Sequence, residues 1–155
     1  VSPRGKPGPK TCEGEKRHEK GKEVFVRPAG HGSAGVRAAR GMGGPGGLIF
    51  ALDGQGLGSD VAIVTDGHAS GLCNLALMVV DVTPEAAAGG NIGLIKDGDI
   101  ITIDALNKVL SVDVSDEELA ERRKNAPDYL GKGEQGWLKL YQERVKPIDQ
   151  GAVII

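Results

Sequence analysis

The chain is organised around the stretch Val61-Ala62-Ile63-Val64-Thr65-Asp66-Gly67-His68-Ala69-Ser70-Gly71. Its first five residues are mostly β-branched and have polar neighbours, which predicts a short, largely buried strand. Asp66 and Gly67 then predict a turn. Ser70 follows between two small residues, so that a ligand has steric access to its Oγ. The stretch therefore predicts a buried strand followed by a turn that presents one hydroxyl group.

A second interpretation of Ser70 stays open. A serine beside a glycine is more often a helix cap, or a hydrogen-bond partner of the turn backbone, than a reactive group. Residue spacing alone does not distinguish the two roles, so Ser70 is a candidate catalytic residue that needs support from the rest of the chain.

Length and composition indicate one domain. The 155 residues are 39% hydrophobic and 26% charged, which is enough for one core of ordinary size. No apolar run approaches the ~20 residues that a membrane helix needs, and the N-terminus has no apolar signal-peptide core. We therefore expect a soluble, cytoplasmic protein with no membrane partner.

The two cysteines indicate that the chain alone holds no metal and no cofactor. Cys12 and Cys73 are far apart and belong to no CxxC or Cys/His pattern. Neither a zinc site nor a complete iron-sulfur site can be built from them. Free thiols in a reducing compartment are the expected state.

A basic arm precedes an acidic body. Residues 1–40 contain ten Lys or Arg and four Glu, whereas residues 41–155 contain nine Lys or Arg and seventeen Asp or Glu. The arm lacks interleaved aromatic residues and contains glutamates, so nucleic acid is not the expected partner. Residues 1–22 have almost no apolar side chains, which predicts a disordered basic arm. The folded domain is predicted to span residues 23–155.

Glycines cluster at Gly41–Gly47 and again at Gly54–Gly58. Successive backbone N–H groups in such a segment can form an anion-binding nest. The pattern matches neither the dinucleotide-binding fingerprint nor the phosphate-binding loop of nucleotide hydrolases. A flexible surface loop therefore stays open as the alternative.

The remaining patterns predict six or seven short strands and two or three helices without regular βαβ alternation. Ser115 and Glu118 form a capping box that opens a helix. Thr83 and Pro84 predict the start of a short helix. The predicted strands lie at residues 23–27, 48–52, 61–65, 75–82, 92–96, 100–104 and 109–114, and the two longer helices at 115–124 and 134–145. A closed or nearly closed mixed β-barrel with helices packed outside fits this pattern, which is an α/β fold class.

Several motifs, in order, resemble the C-terminal domain of the dihydroxy-acid and sugar-acid dehydratases. The similarity covers roughly residues 23–153. The ending Gly136–Tyr141 followed by Asp149–Gly151 is more similar to the sugar-acid branch. The other motifs that carry the resemblance are Val61–Gly71, Val82–Ala86, Gly89–Gly90, Lys96–Asp99, Ile101–Ala105 and Val114–Arg123.

The resemblance implies a swivelling β-barrel domain stacked on a larger N-terminal domain that carries an iron-sulfur cluster and most Mg²⁺ ligands. It implies loss of water from a small hydroxy-acid substrate, a 2,3-dihydroxy acid, to give a 2-keto acid, in branched-chain amino acid biosynthesis or sugar-acid metabolism. Ser70 aligns with the family's proposed base. The complete enzyme is expected to be a homo-oligomer, and the isolated chain is expected to be inactive.

The resemblance also implies that Gly44, Pro45, Gly46, His68 and Gly71 bind substrate. The chain departs from the family pattern at two of these places. In the family, a glutamate that ligates Mg²⁺ follows the glycine-rich loop. Here Gly47 follows the loop, and the next acid is Asp53. The Arg-Phe pair that usually precedes the serine is His68-Ala69 here.

Two classes of function therefore stay open. The first is the C-terminal part of a hydro-lyase, which needs its other part for turnover. The second is a non-catalytic module that keeps the fold and binds an acid metabolite or a partner protein.

Overall fold

The computed structural model describes residues 23–27, 35–38, 45–72, 76–130 and 135–155. The predicted arm at 1–22 and the glycines at 41–44 lie outside these ranges. Three short 3₁₀ helices occur at Ala86–Ala88, Asn91–Leu94 and Ile148–Gln150. The longer elements are β1 (Glu23–Arg27), α1 (Pro45–Gly54), β2 (Val61–Thr65), β3 (Leu77–Val79), β4 (Ile101–Asp104), β5 (Val109–Val112), α2 (Asp116–Lys124) and α3 (Trp137–Arg144).

β2 is the central strand of a three-stranded parallel sheet, with β1 on one side and β3 on the other. Arg27 pairs with Thr65 at the end of β1 and β2, and Val64 pairs with Val79 at the end of β3. Because the three strands run in the same direction, their carboxyl ends meet at one edge of the sheet. We call this the carboxyl edge. It is the edge at which open α/β sheets usually bind ligands.

α1 is the crossover between β1 and β2, and the strand predicted at 48–52 is wrong. Ile49 of α1 is fully buried against Ile63 of β2, with Leu48, Leu52 and Met78 packed around them. A short apolar run fits a buried helix as well as a buried strand, and the need to return across the sheet selects the helix. A crossover between parallel strands begins at their carboxyl ends, so the first turn of α1 lies on that side of the sheet.

The opposite face of β2 packs against the chain that follows β3. Val64 forms a buried cluster with Ala86 and Ile92, and this cluster is surrounded by Val79, Val82, Ile103 and Tyr129. Ile63 and Val64 thus point to different layers, as successive strand residues do. The short helix predicted to start at Thr83 and Pro84 starts instead at Ala86, after Glu85 as its N-cap residue.

The local predictions in the second half of the chain are largely confirmed. β4 and β5 form an antiparallel hairpin in which Ile101 pairs with Val112. Ser115 caps α2, since its side-chain oxygen accepts a hydrogen bond from the Glu118 N–H. The strand predicted at 92–96 is wrong, because residues 91–94 form a 3₁₀ helix.

The predicted mixed β-barrel is wrong for the part of the chain that the structure describes. The five strands there form a three-stranded parallel sheet and a separate two-stranded hairpin, and neither sheet is closed. The reason is a shortage of strands. Two of the predicted strands are helical, and the eight-residue strand predicted at 75–82 pairs over only three residues.

α3 and the last residues form the end of the described chain. Gln142 and Val145 are buried, whereas Trp137 is 71% exposed. Val145 makes an isolated antiparallel bridge with Ile154. In the described ranges, no helix has both the length and the apolar character needed to cross a membrane.

Candidate functional site

Two loops leave the carboxyl edge side by side. The serine loop, residues 66–72, follows β2, and the aspartate loop, residues 80–85, follows β3. The Asp81 N–H donates a hydrogen bond to the Gly67 carbonyl oxygen at 3.0 Å, and the Val82 N–H donates to the Thr65 carbonyl oxygen at 3.2 Å. The two loops therefore stay joined by their backbones beyond the last paired strand residues.

Buried side chains anchor the base of the serine loop. Thr65 is fully buried, and its Oγ1 accepts a hydrogen bond from the Gly67 N–H at 3.0 Å. Asp66 is 3% exposed, and its Oδ2 accepts a hydrogen bond from the Ala86 N–H at 2.9 Å. Burying a carboxylate is costly unless it is hydrogen-bonded, and this bond meets that need. The turn predicted at Asp66 and Gly67 is thus held by the side chains of Thr65 and Asp66, which accept hydrogen bonds from the backbone.

Ser70 lies near the tip of the serine loop and is partly exposed. Its Oγ accepts a hydrogen bond from the Leu72 N–H at 3.3 Å, so Ser70 does bond the turn backbone, as the second interpretation of the sequence expects. A serine hydroxyl still has its own hydrogen to donate and a second lone pair. Gly71 is exposed, and no described heavy atom lies within 4 Å of the place where its Cβ would stand.

His68 connects the two loops through its side chain. Its Nδ1 lies 2.9 Å and 3.2 Å from the two carboxylate oxygens of Asp81, and the His68 side chain is 49% exposed. Asp81 has a left-handed backbone with φ of 55°. Residues other than glycine adopt this conformation at an energetic cost, and such residues are frequent at functional sites.

Glu85 joins the aspartate loop to the segment at 35–38. Its two carboxylate oxygens accept hydrogen bonds from the Arg37 N–H at 2.9 Å and 3.2 Å. Burial raises the pKa of the Glu85 carboxyl, the Arg37 amide opposes this shift, and the nearby Asp66 carboxylate adds to it. A Cβ at Gly35 would collide with Glu85 at 1.6 Å, so this close approach requires glycine.

Sequence reasoning missed the roles of Asp66, Asp81 and Glu85. A signal for two of them was available, since Asp66 and Asp81 each stand just after a strand, at one edge of a parallel sheet. The sequence did not show which strands are neighbours in the sheet. Without the strand order, it gave no reason to expect the two aspartates to lie close together.

The glycine-rich segment is described only in part. Gly46 lies in the first turn of α1, whereas Gly44 and the Pro45 side chain lie outside the described residues. Asp53 is exposed in the last turn of α1. At 1.5 Å per residue it stands about 12 Å along the helix axis from Pro45. Asp53 therefore cannot replace an acid that follows the glycine-rich loop directly.

The side chains that the structure describes form neither an iron-sulfur site nor a Mg²⁺ site. No group of three His, Cys, Asp or Glu stands together in the described ranges. Two cysteines cannot supply the thiolates of a cluster. Asp66 Oδ2 and both carboxylate oxygens of Glu85 accept hydrogen bonds from backbone amides. No chemical step is therefore assigned here to either group.

A separate cleft of about 320 Å³ opens between β2 and the β4–β5 hairpin. Ser70 and His68 are not among the residues that line it. Most of its wall is aliphatic, and it includes Val64, Val82, Ile92, Ile101, Leu110 and Leu119. The cleft offers an apolar cavity on the face of the sheet opposite α1.

Comparison with known proteins identifies the family. The profile of the family described as dihydroxy-acid/6-phosphogluconate dehydratase, C-terminal, matches residues 12–152. The chain belongs to this family. The match begins before Glu23, where the sequence patterns place the start of the domain. The resemblance that was drawn from the motifs is thereby confirmed.

Curated relatives are dihydroxy-acid dehydratases from Prochlorococcus marinus. The protein of strain MIT 9215 is 45% identical over 123 residues, which cover 76% of this chain and 22% of the relative. The protein of strain AS9601 is 48% identical over 103 residues, which cover 66% of this chain and 18% of the relative. The chain thus spans about a fifth of the length of the relatives that it matches.

Proposed function

We propose that this domain supplies the base and part of the substrate pocket of a hydro-lyase that dehydrates 2,3-dihydroxy acids to 2-keto acids. The observation that carries the proposal is the position of Ser70. It stands on a loop that is anchored by buried side chains at the carboxyl edge of a parallel sheet, in a chain that belongs to a dehydratase family. This is the edge where α/β sheets bind small molecules.

In the proposed reaction, Ser70 Oγ, deprotonated to the alkoxide, takes the proton from C2 of the substrate while the hydroxyl group leaves C3 as hydroxide with the C–O electron pair. The product is an enol, which becomes the 2-keto acid. A serine hydroxyl is a weak base at neutral pH and must be activated by its surroundings. The iron-sulfur cluster and the Mg²⁺ that the resemblance implies belong, in this proposal, to an N-terminal domain corresponding to the part of the relatives that this chain does not match.

The substrate is proposed to lie between the serine loop and the start of α1. The exposed N–H groups at the first turn of a helix favour an anion, and Gly46 lets a substrate carboxylate approach the backbone there. Gly44 and Pro45 complete this side of the pocket in the proposal. His68 and Gly71 would form the other side, next to Ser70.

The complete enzyme is proposed to be a homo-oligomer in the cytoplasm. The support for the compartment is the cysteine pattern, since Cys12 and Cys73 match no disulfide framework or metal motif. The alternative, a non-catalytic module for an acid metabolite or a partner, predicts no keto acid from any assembly that contains this chain.

The test is Ser70→Ala in an assembly with a cluster-bearing dehydratase domain. Loss of a positioned base lowers turnover by about 100-fold to 10,000-fold, so keto-acid formation should fall by at least 100-fold. Thermal melting should change little, because Ser70 is partly exposed and makes one long hydrogen bond. Ser59→Ala, at an exposed serine in a turn, is the matched control and should keep full turnover.

Two results separate the competing readings. Normal keto-acid production by Ser70→Ala, with a stability loss of about 1 kcal/mol, would show that Ser70 only bonds the turn. No keto acid from the unaltered assembly would favour the binding module.

A further inference from the structure

The His68–Asp81 pair is built like an oriented proton-transfer group. A carboxylate only accepts hydrogen bonds, so the Nδ1 that faces Asp81 carries the hydrogen. In a neutral imidazole the other ring nitrogen, Nε2, is then an acceptor. Nε2 has no hydrogen-bond partner within the described residues. Asp81 therefore fixes one tautomer of His68 and leaves a basic nitrogen directed away from itself.

The pair contributes little to stability as an ion pair. Exposed pairs of this kind add little to stability, and the His68 side chain is half exposed. Asp81 nevertheless holds an unfavourable left-handed backbone with φ of 55° and is fixed by its N–H to Gly67. Aspartate adopts this conformation more readily than most residues do, so Asp81 can present its carboxylate to His68 from this loop.

His68 and Ser70 stand two residues apart on one loop, so both can face one carbon of a bound substrate. In the proposed reaction that carbon is C2, which carries both the hydrogen that Ser70 removes and a hydroxyl group. The hydroxyl hydrogen must also leave before a ketone exists, and Ser70 is already occupied by the first proton. A second acceptor beside Ser70 meets this need.

Resting on the dehydratase function above, we propose that His68 is a second proton-transfer residue and that Asp81 is its positioning residue. The O–H bond of the enol breaks and its proton goes to His68 Nε2, while that bond's electron pair forms the carbonyl. The electron pair of the C2=C3 bond takes a proton at C3 from Ser70, which returns the one it removed from C2. His68 then gives its proton, through solvent, to the hydroxide that left C3, and water results.

The first test is the tautomer of His68, measured by nitrogen-15 NMR on the full chain with labelled histidines. The sequence has three histidines, so the His68→Gln spectrum assigns the signal. We expect the hydrogen on Nδ1 in the unaltered chain and a shift toward Nε2 in Asp81→Asn. Asp60→Asn, at an exposed aspartate, should change nothing. A hydrogen on Nε2 in the unaltered chain, or no response to Asp81→Asn, would overturn the proposal.

The second test is chemical rescue in the complete dehydratase. His68→Ala should lower turnover by about 100-fold or more. Free imidazole should then raise the turnover of this variant at least tenfold, since it can replace a missing proton acceptor. Normal turnover, or a loss that imidazole does not relieve, would overturn the role of His68. Failure of the dehydratase proposal is recognised separately, because the unaltered assembly would then form no keto acid, whereas the NMR result on the chain does not depend on turnover.

Discussion

Gly90 is the residue at which the structure makes its sharpest stability prediction. A Cβ at Gly90 would lie 1.7 Å from the Pro84 carbonyl oxygen and 2.6 Å from the Pro84 carbonyl carbon, whereas Cβ atoms essentially never come closer than 3.0 Å to another heavy atom. The atoms in the way belong to the backbone and cannot rotate aside. Gly90→Ala must therefore displace the chain around Pro84 by about 1 Å or more.

That displacement breaks known contacts. The Gly90 N–H donates a hydrogen bond to the Glu85 carbonyl oxygen at 2.9 Å. Ala86, which follows Glu85 in the chain, donates its N–H to the Asp66 carboxylate. Overpacking of this severity costs about 3 kcal/mol, and the lost hydrogen bond of a buried carboxylate adds to it. For a chain of 155 residues, 3 kcal/mol corresponds to a fall in Tm of about 6 to 12 °C.

The assay is thermal melting of Gly90→Ala beside Gly47→Ala. Gly47 lies inside α1 with nothing within 4 Å of its Cβ position, so alanine there should stabilise the chain by about 0.5 to 1 kcal/mol through its better helix propensity. The two glycine-to-alanine changes are thus expected to have opposite signs. A Tm of Gly90→Ala within 1 °C of the unaltered chain would refute the argument from close approach.

Two further predictions concern α2. Ser115→Ala removes the oxygen that accepts the Glu118 N–H and should cost about 1 kcal/mol in urea denaturation; an unchanged midpoint would contradict the role of the cap. Hydrogen bonds from Arg122 hold the pKa of the Asp99 carboxyl below its ordinary value of 3.8, so the ionised form contributes stability that is present above that value and is lost as pH falls through the folded-state pKa. Asp99→Asn should therefore flatten the loss of stability below about pH 4. An acid slope equal to that of the unaltered chain would speak against this ion pair.

The sequence predicted those elements whose cause is local. α2 begins at a capping serine and carries acids at its start and arginines at its end, and all of these signals lie within ten residues. β2 is a β-branched run with polar neighbours. Both elements were correctly predicted because their stabilising features are adjacent in the chain.

Two segments that were predicted as strands are helical. Ile92 and Leu94 are both buried, and this alternation is what a strand would show. The backbone there is a 3₁₀ helix. Gly90 lies against Pro84 at its start, and Gly93 packs so close to Tyr129 that a Cβ would stand 2.9 Å from its ring. In α1, the apolar run at 48–52 is continuous, so it shows no periodicity that would separate a helix from a strand. Pro45 at the first helical position was a signal for a helix.

Ser70, His68 and Gly71 are close in sequence, so their place on one loop after β2 needs no knowledge of the fold. Their roles in catalysis and binding stay a prediction. The contacts of Asp81 with His68 and of Glu85 with Arg37 join residues from different strands, so they depend on the order of strands in the sheet. That order was not predictable from the patterns of single segments.

The base and the tip of the serine loop differ in burial and in hydrogen bonding. Thr65 and Asp66 hold the base through buried hydrogen bonds, whereas the tip at residues 68–70 is exposed or partly exposed and makes few contacts. Substitutions at exposed positions usually change stability by no more than about 0.5 kcal/mol. Substitutions at the tip therefore need not endanger the fold. New chemistry can evolve at this edge of the sheet while the scaffold that positions it stays constant.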